Sequence, residues 1–369
     1  MACEMQPTPM LTNPEAGNQS MDPQITPLLS VRNLKTYFYL DEGTVKAVDD
    51  VSFDVYPGQV LGIVGESGCG KSVTIKSVLR IVEKPGQIVD GEILFRAQEK
   101  NRRSGGGESD EFIDLVKLNA HGKQMRSIRG AEIALIPQEP MAAFSPVYTV
   151  GNQIIEAILL HQDASKQEAH QMAIERLHEV GIPNPAQRIN AYSWELSGGL
   201  RQRAMIAMAL SCNPRLLIAD EPTTAIDVTT QAQVLNLLRS LQQQHGMAII
   251  FITHDLGVIA QMADYVIVMY LGSVMETAPV DDIFHNPQHP YTKALLKSIP
   301  SVQTQSRTFL PTIEGSIPHP FSRPSGCSFH PRCSEFMPGV CNRRMPSLQP
   351  VNDRQSASCF LHHDVVEED

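Results

Sequence analysis

The chain has 369 residues, 42% of them hydrophobic and 19% charged, with 30 Lys and Arg against 40 Asp and Glu, a formal net charge of -10. That length holds one large domain and a smaller appendage, and the composition excludes collagenous, low-complexity and disulfide-scaffold classes. The acidic balance argues against a general binder of nucleic-acid backbones, whose affinity depends on cationic side chains displacing counterions.

Residues 1–27 carry Pro, Asn, Gln and Ser without the apolar stretch of a secretory leader, and read as a disordered tail. No run reaches the ~20 apolar residues of a membrane-spanning helix. The seven cysteines are therefore expected in a reducing cytosol, where metal binding is favoured over disulfides. Order is expected from Leu28, with strands at Leu29 to Leu34, Val48 to Val55 and Val60 to Val64. Ala97 to Lys123, containing Arg102-Arg103-Ser104-Gly105-Gly106-Gly107, reads as an exposed loop insertion. Helical spacing predicts one helix over Thr149 to Val180, stopped by Gly181 and Pro183. Apolar strands at Leu216 to Ala219, Ala248 to Thr253 and Val266 to Met269 then alternate with helices at Arg201 to Ser211 and Thr229 to His245. This is the pattern of an α/β domain with a largely parallel sheet. The texture changes after Pro300, so a separate small region rich in Pro, Ser and Cys is expected over 301–369.

Gly65-Glu66-Ser67-Gly68-Cys69-Gly70-Lys71-Ser72 lies between an apolar strand and a predicted helix. Glycines in that context let successive backbone N–H groups curl around phosphates, and the helix dipole adds positive potential. Lys71 is placed to neutralise the β- and γ-phosphates and Ser72 to ligate Mg²⁺. Leu216 to Ala219 run into Asp220 and Glu221, a carboxylate pair suited to holding a Mg²⁺ shell and polarising an attacking water. Taken alone, such a pair is more often a helix cap.

Further segments give these residues a context. Leu196-Ser197-Gly198-Gly199-Leu200-Arg201-Gln202-Arg203 resembles the signature of the ABC ATPases. Gln138 in Ile136-Pro137-Gln138-Glu139 resembles the family's Q-loop, Ala225-Ile226-Asp227 its D-loop, and His254 its switch histidine. The ordered set spans residues of about 28 to 275. Singly, each has a bland alternative: Ser197 as a helix cap, His254 as a capping histidine, Gln138 as a loop residue. The resemblance implies a P-loop NTPase, an ABC-type nucleotide-binding domain with a helical subdomain, over 28–300. It implies Glu221, His254 and Gln138 in catalysis, with Mg²⁺ at Ser72, Gln138 and Asp220. Nucleotide would be held by Phe38, Gly65, Ser67, Gly68, Cys69, Gly70, Lys71, Ser72 and Asp220. Ser197, Gly199 and Asp227 would serve the partner's nucleotide in a head-to-tail dimer. For the adenine, Phe38 best matches the family's stacking aromatic among Tyr37, Phe38 and Tyr39.

Three segments resemble the oligopeptide/dipeptide, also nickel, permease branch: Pro287 to Leu296, Gly326 to Cys333 and Pro140 to Val150. Departures occur at Ile136, Glu139, Ala142 to Ser145 and Leu200, near the surface that would dock a membrane partner. The branch implies an ATPase that energises uptake of peptides, or alternatively of oligosaccharide or nickel. It works at the cytoplasmic face of the membrane with two transmembrane permeases, a second related cassette (a heterodimer) and, indirectly, an external solute-binding protein, with no nucleic-acid partner. The rival classes are a soluble ABC ATPase of DNA or ribosomes, an exporter subunit, and a redox-regulated binding module. The first would need a long coiled coil between Gln138 and Ser197, or a second cassette. Cys327, Cys333, Cys341 and Cys359 lie close together in the C-terminal region, and their spacings lack the paired pattern of common zinc sites. Four thiolates suit a [4Fe-4S] cluster, which some members resembling this branch carry on this tail.

Overall fold

The computed structural model describes residues 26–98, 112–139, 143–224, 226–299 and 313–363. Outside them lie residues 1–25 of the expected tail with Cys3, the glycine-rich centre of the insertion, residues 140–142, Ala225 and the stretches 300–312 and 364–369.

Among the described residues, two sheets make up the β structure. β1 (Leu29–Leu40), β2 (Gly43–Val55), β4 (Gly86–Phe95) and β5 (Ile113–Asp114) form an antiparallel sheet in the order β2, β1, β4, β5. The central sheet contains β3 (Val60–Val64), β6 (Ile133–Ile136), β7 (Leu216–Asp220), β8 (Ala248–Ile252) and β9 (Tyr265–Tyr270), which run parallel in the order β9, β3, β8, β7, β6. β10 (Ser273–Pro279), β12 (Ser356–Ala357) and β11 (Gln349–Pro350) extend it antiparallel beyond β9.

Strands covered on both faces need apolar residues at every position. β3 and β8 are buried throughout. Their alternate side chains enter different cores: Val60, Val64, Ile249 and Phe251 face the helical layer, whereas Leu61, Ile63, Ile250 and Ile252 face the antiparallel sheet. Burial of each such side chain contributes about 1.5–3 kcal/mol, so the sheet is a rigid platform for whatever its strand ends carry.

The helices are α1 (Lys71–Val78), α2 (Lys123–Ile128), α3 (Val150–His161), α4 (Lys166–Glu179), α5 (Pro185–Arg188), α6 (Gly198–Leu210), α7 (Val228–His245), α8 (Leu256–Met262), α9 (Val280–His285) and α10 (Pro290–Lys297). The single helix expected over Thr149 to Val180 is in fact two, α3 and α4. Ser165 starts the second with a reciprocal capping box: its hydroxyl accepts from Glu168 N at 3.3 Å and its own N–H donates to Glu168 Oε2 at 2.8 Å. Similar apolar spacing on both sides concealed that break.

Two other expectations change. Part of the insertion is ordered, since β5 pairs with β4 and Leu115 is buried. Nor does the C-terminal region stand apart: β12 joins β10, and Cys327, Phe329 and Cys341 enter the same core as the helical layer. A segment too poor in apolar residues for its own core borrows one.

Candidate nucleotide site

The parallel sheet brings the candidate residues together at one edge. β3 ends in the glycine loop, β6 leads to Gln138, β7 ends in Asp220 and Glu221, and β8 leads to His254. These strands are neighbours, so residues more than 180 positions apart meet at the C-terminal ends where α/β sheets place their ligands.

In the loop, Gly65, Gly68 and Gly70 all have positive φ, at 152°, 78° and 102°. At Gly70, which begins α1, a Cβ would lie 2.2 Å from the Ala47 carbonyl oxygen, so glycine is required by space as well as by conformation. Ser67 and Gly68 form the exposed tip, whereas Cys69 is buried and burial raises its thiol pKa. Lys71 is nearly inaccessible; its Nζ donates to Gly65 O at 2.8 Å and to Glu66 O at 3.1 Å. The Ser72 hydroxyl donates to Asp220 Oδ1 at 3.2 Å, which puts two hard oxygen donors side by side. Burial raises the Asp220 carboxyl, more than Ser72 and the nearby lysines lower it.

Glu221 is the convergence point. Its Oε2 accepts from Gln138 Nε2 and from the Thr224 hydroxyl, both at 3.0 Å, and its Oε1 lies 3.2 Å from His254 Nδ1. Its φ is 47°, a left-handed conformation uncommon outside glycine, and its N–H donates to Ile252 O at 2.9 Å. Burial raises this carboxyl, but the bonds from His254 and Thr224 outweigh it and leave the pKa below the ordinary value. The pair is no helix cap, and the cap on α8 is Asp255, not His254.

Ser197 and Asp227 do cap helices. The Ser197 hydroxyl accepts from Leu200 N at the start of α6, and Asp227 accepts from Thr230 N and the Thr230 hydroxyl at the start of α7. Both are exposed, and Gly198 beside Ser197 has open space where a side chain would be. Gly199 packs tightly, since a Cβ there would sit 2.9 Å from Thr230 Cγ2. Of the early aromatics, Tyr37 donates its hydroxyl to Asp49 Oδ1 at 2.6 Å, Phe38 is half-buried beside Gly86, and Tyr39 is exposed. Between Gln138 and Ser197 the longest helix among the described residues has 14 residues, far short of a coiled-coil arm. Val147, Tyr148 and Trp194 are exposed there, and Trp194 stacks on Tyr192 at 5.5 Å. A bridge between Thr149 and Tyr192 brings these groups to one surface.

The four C-terminal cysteines line one small cavity together with His289, Phe329 and Phe360. Gly326 allows this: with φ 69°, a Cβ there would lie 2.4 Å from the Cys341 carbonyl oxygen, and Cys327 N donates to that same oxygen. Burial pushes the Cys327 and Cys359 thiols up to about 11 and His289 down to about 3, so all three are neutral near pH 7. Among the described residues, no group of three or more His, Cys, Asp or Glu stands in a metal-holding arrangement. Nor, among them, is any helix long and apolar enough to cross a membrane.

Sequence reading missed Thr224, Glu66, Tyr291 and Arg332. Tyr291 and Arg332 lie within the segments that resemble the permease branch, and no local signal joins them to a loop more than 220 residues earlier. In the structure they do reach it: the Glu66 N–H donates to the Tyr291 hydroxyl at 3.0 Å, and Arg332 pairs with the Glu66 carboxylate.

Residues 48–224 match the ABC transporter family, and residues 275–341 match the oligopeptide/dipeptide transporter C-terminal region. The chain is 46% identical over 346 residues to a probable peptide ABC transporter ATP-binding protein of Sinorhizobium fredii, covering 94% of this chain and 98% of that one. It is 43% identical over 332 residues to a dipeptide transport ATP-binding protein of Escherichia coli, covering 90% and 96%. Among solved structures, it is similar to a dimeric ATP-binding cassette bound to ADP and phosphate in a post-hydrolysis state. The TM-score is 0.57 at 23% identity, over 68% of this chain and 98% of that one, which shows a common fold.

Proposed function

The chain belongs to the ATP-binding subunits of ABC transporters, in the group with the oligopeptide/dipeptide C-terminal region, and is an ATPase; from this we propose that it energises peptide uptake across the cytoplasmic membrane. The observation that carries the chemistry is the meeting of Gln138, Thr224 and His254 on the Glu221 carboxylate. A carboxylate kept ionised by donors on two sides is an acceptor for a hydrogen bond from an attacking water. Lys71 and the loop amides hold the phosphates. Ser72 and Asp220 offer adjacent oxygens to Mg²⁺, which when bound offsets charge on the phosphate oxygens. Gln138 spends its amide N–H on Glu221, so its carbonyl oxygen is the atom it offers the metal. His254 fixes the orientation of Glu221 from the other side. Phe38 is assigned to the adenine; Tyr37 is committed to Asp49.

Ser197, Gly199 and Asp227 support a head-to-tail dimer, since the start of α6, exposed at Ser197 and Gly198, suits phosphates held by another protomer. We assign the second protomer to a related, non-identical cassette, and the exposed Val147, Tyr148 and Trp194 surface to contact with two permease subunits at the cytoplasmic face of the membrane. The external binding protein then acts through those permeases. Affinity purification from detergent-solubilised membrane is expected to recover two membrane-spanning proteins and a second cassette. Recovery of ribosomes or nucleic acid in their place would overturn the transport reading.

The four thiols around one cavity fit an all-thiolate centre by donor type, and we assign them to a [4Fe-4S] cluster with a structural role. Because the thiols are protonated when free, loading must release protons and weakens at low pH. Anaerobic protein is expected to be brown, to absorb near ~400 nm and to contain iron and sulfide near ~4 each per chain. Stoichiometric zinc, or four freely titratable thiols, would rule the cluster out.

A further inference from the structure

The phosphate loop carries a carboxylate at its second position. Glu66 follows Gly65 directly, and an acidic side chain there opposes the anionic ligand for which the loop is otherwise built. The structure shows what counters it. Arg332 Nη1 donates to Glu66 Oε2 at 2.7 Å and Nη2 to Oε1 at 3.1 Å, a two-pronged pair in which the arginine side chain is only 4% exposed. Arg332 Nη1 also reaches the Tyr270 hydroxyl at 3.3 Å, with the guanidinium 5.8 Å from the Tyr270 ring centre. Tyr270 and Tyr291 pack with Phe329 in a buried aromatic cluster, and the Tyr291 hydroxyl accepts from the Glu66 N–H. One loop residue is thus held through both main chain and side chain by groups from α10 and the Gly326 to Cys333 segment. Burial lowers the Arg332 pKa, but the Glu66 and Tyr270 bonds outweigh it and keep the guanidinium charged.

We propose that Arg332, from the C-terminal region, is a positioning residue for nucleotide binding: it neutralises the Glu66 carboxylate and holds it aside, while Tyr291 holds the main chain of the phosphate loop. This explains why the C-terminal region is packed against the cassette and not merely tethered to it. An ion pair this enclosed is costly to break from one side, because the remaining charge is left uncompensated. Removing the arginine leaves the Glu66 charge uncompensated on the phosphate loop, whereas removing the glutamate leaves an extra positive charge beside it.

The proposal rests on the phosphate-loop reading, so the test begins with full-length wild type and Lys71→Ala, titrated with a fluorescent ATP analogue in Mg²⁺. Loss of binding in Lys71→Ala establishes that reading independently. Arg332→Ala is then expected to raise the Kd roughly tenfold, the scale of one uncompensated charge several ångströms away. Adding Glu66→Gln to Arg332→Ala should bring the Kd back to within about threefold of wild type, which loss of a purely structural tether would not allow. Arg332→Lys, which keeps the charge, should fall between. Glu66→Gln alone should tighten binding several-fold, and it carries the test if Arg332→Ala fails to fold. An unchanged Kd in folded Arg332→Ala, a double variant as weak as the single, or weaker binding by Glu66→Gln would each overturn the proposal.

Discussion

Glu221→Gln lowers ATP turnover by roughly 10² to 10³ while MgATP affinity stays within a few-fold of wild type. The substitution keeps the shape and removes the charge. In the native site three donors, from Gln138, Thr224 and His254, face a carboxylate that only accepts. A glutamine must turn an N–H toward some of those donors or lose their bonds, so it can no longer present an oriented anion to the attacking water. Because those bonds hold the carboxyl below its ordinary pKa, it is a weak proton acceptor. Its contribution therefore lies more in orienting and polarising the water than in taking its proton in the ground state. The proposed phosphate-binding groups lie in the loop after β3 and at the start of α1 and are untouched, so nucleotide should still bind and accumulate in a trapped dimer. Single-turnover hydrolysis in the assembled transporter measures this directly. A Glu221→Gln protein that hydrolyses ATP at the wild-type rate removes Glu221 from the mechanism.

Lys71→Ala acts on the other half of the site and is expected to raise the Kd for MgATP roughly 10- to 10²-fold, the scale of losing a hydrogen bond from a charged group. The Lys71 ammonium is enclosed, and its Nζ bonds the Gly65 and Glu66 carbonyls. The lysine ties the loop together and, in the proposed role, would also supply the charge that a phosphate requires. Alanine removes both, so the variant should show weaker binding together with a modest fall in thermal stability. Comparing nucleotide titration with thermal unfolding separates the two effects. Normal ATP affinity in a folded Lys71→Ala protein would show that the loop does not hold the phosphates.

Residue order alone determined the nucleotide chemistry of this protein, because each element of the site is local. A glycine loop needs eight consecutive residues, and a carboxylate pair needs only the strand before it. Val60 to Val64 and Leu216 to Asp220 are strands whose continuous apolar runs match their burial on both faces. Whatever required two distant segments to meet was decided by the tertiary structure. Whether Ser197 and His254 were helix caps or site residues depended on neighbours that no spacing rule specifies: Ser197 caps α6, while His254 turns to Glu221. The break between α3 and α4 was hidden because similar apolar spacing runs through both helices, and only the Ser165 and Glu168 bonds show where it falls. The C-terminal region had too few apolar residues to suggest a fold. It gains one by adding β12 to β10 and by placing Arg332 against Glu66, 266 positions away in the chain. An ion pair leaves no periodic trace in a sequence, since charge acts through space and periodicity records only which face of a local element is buried.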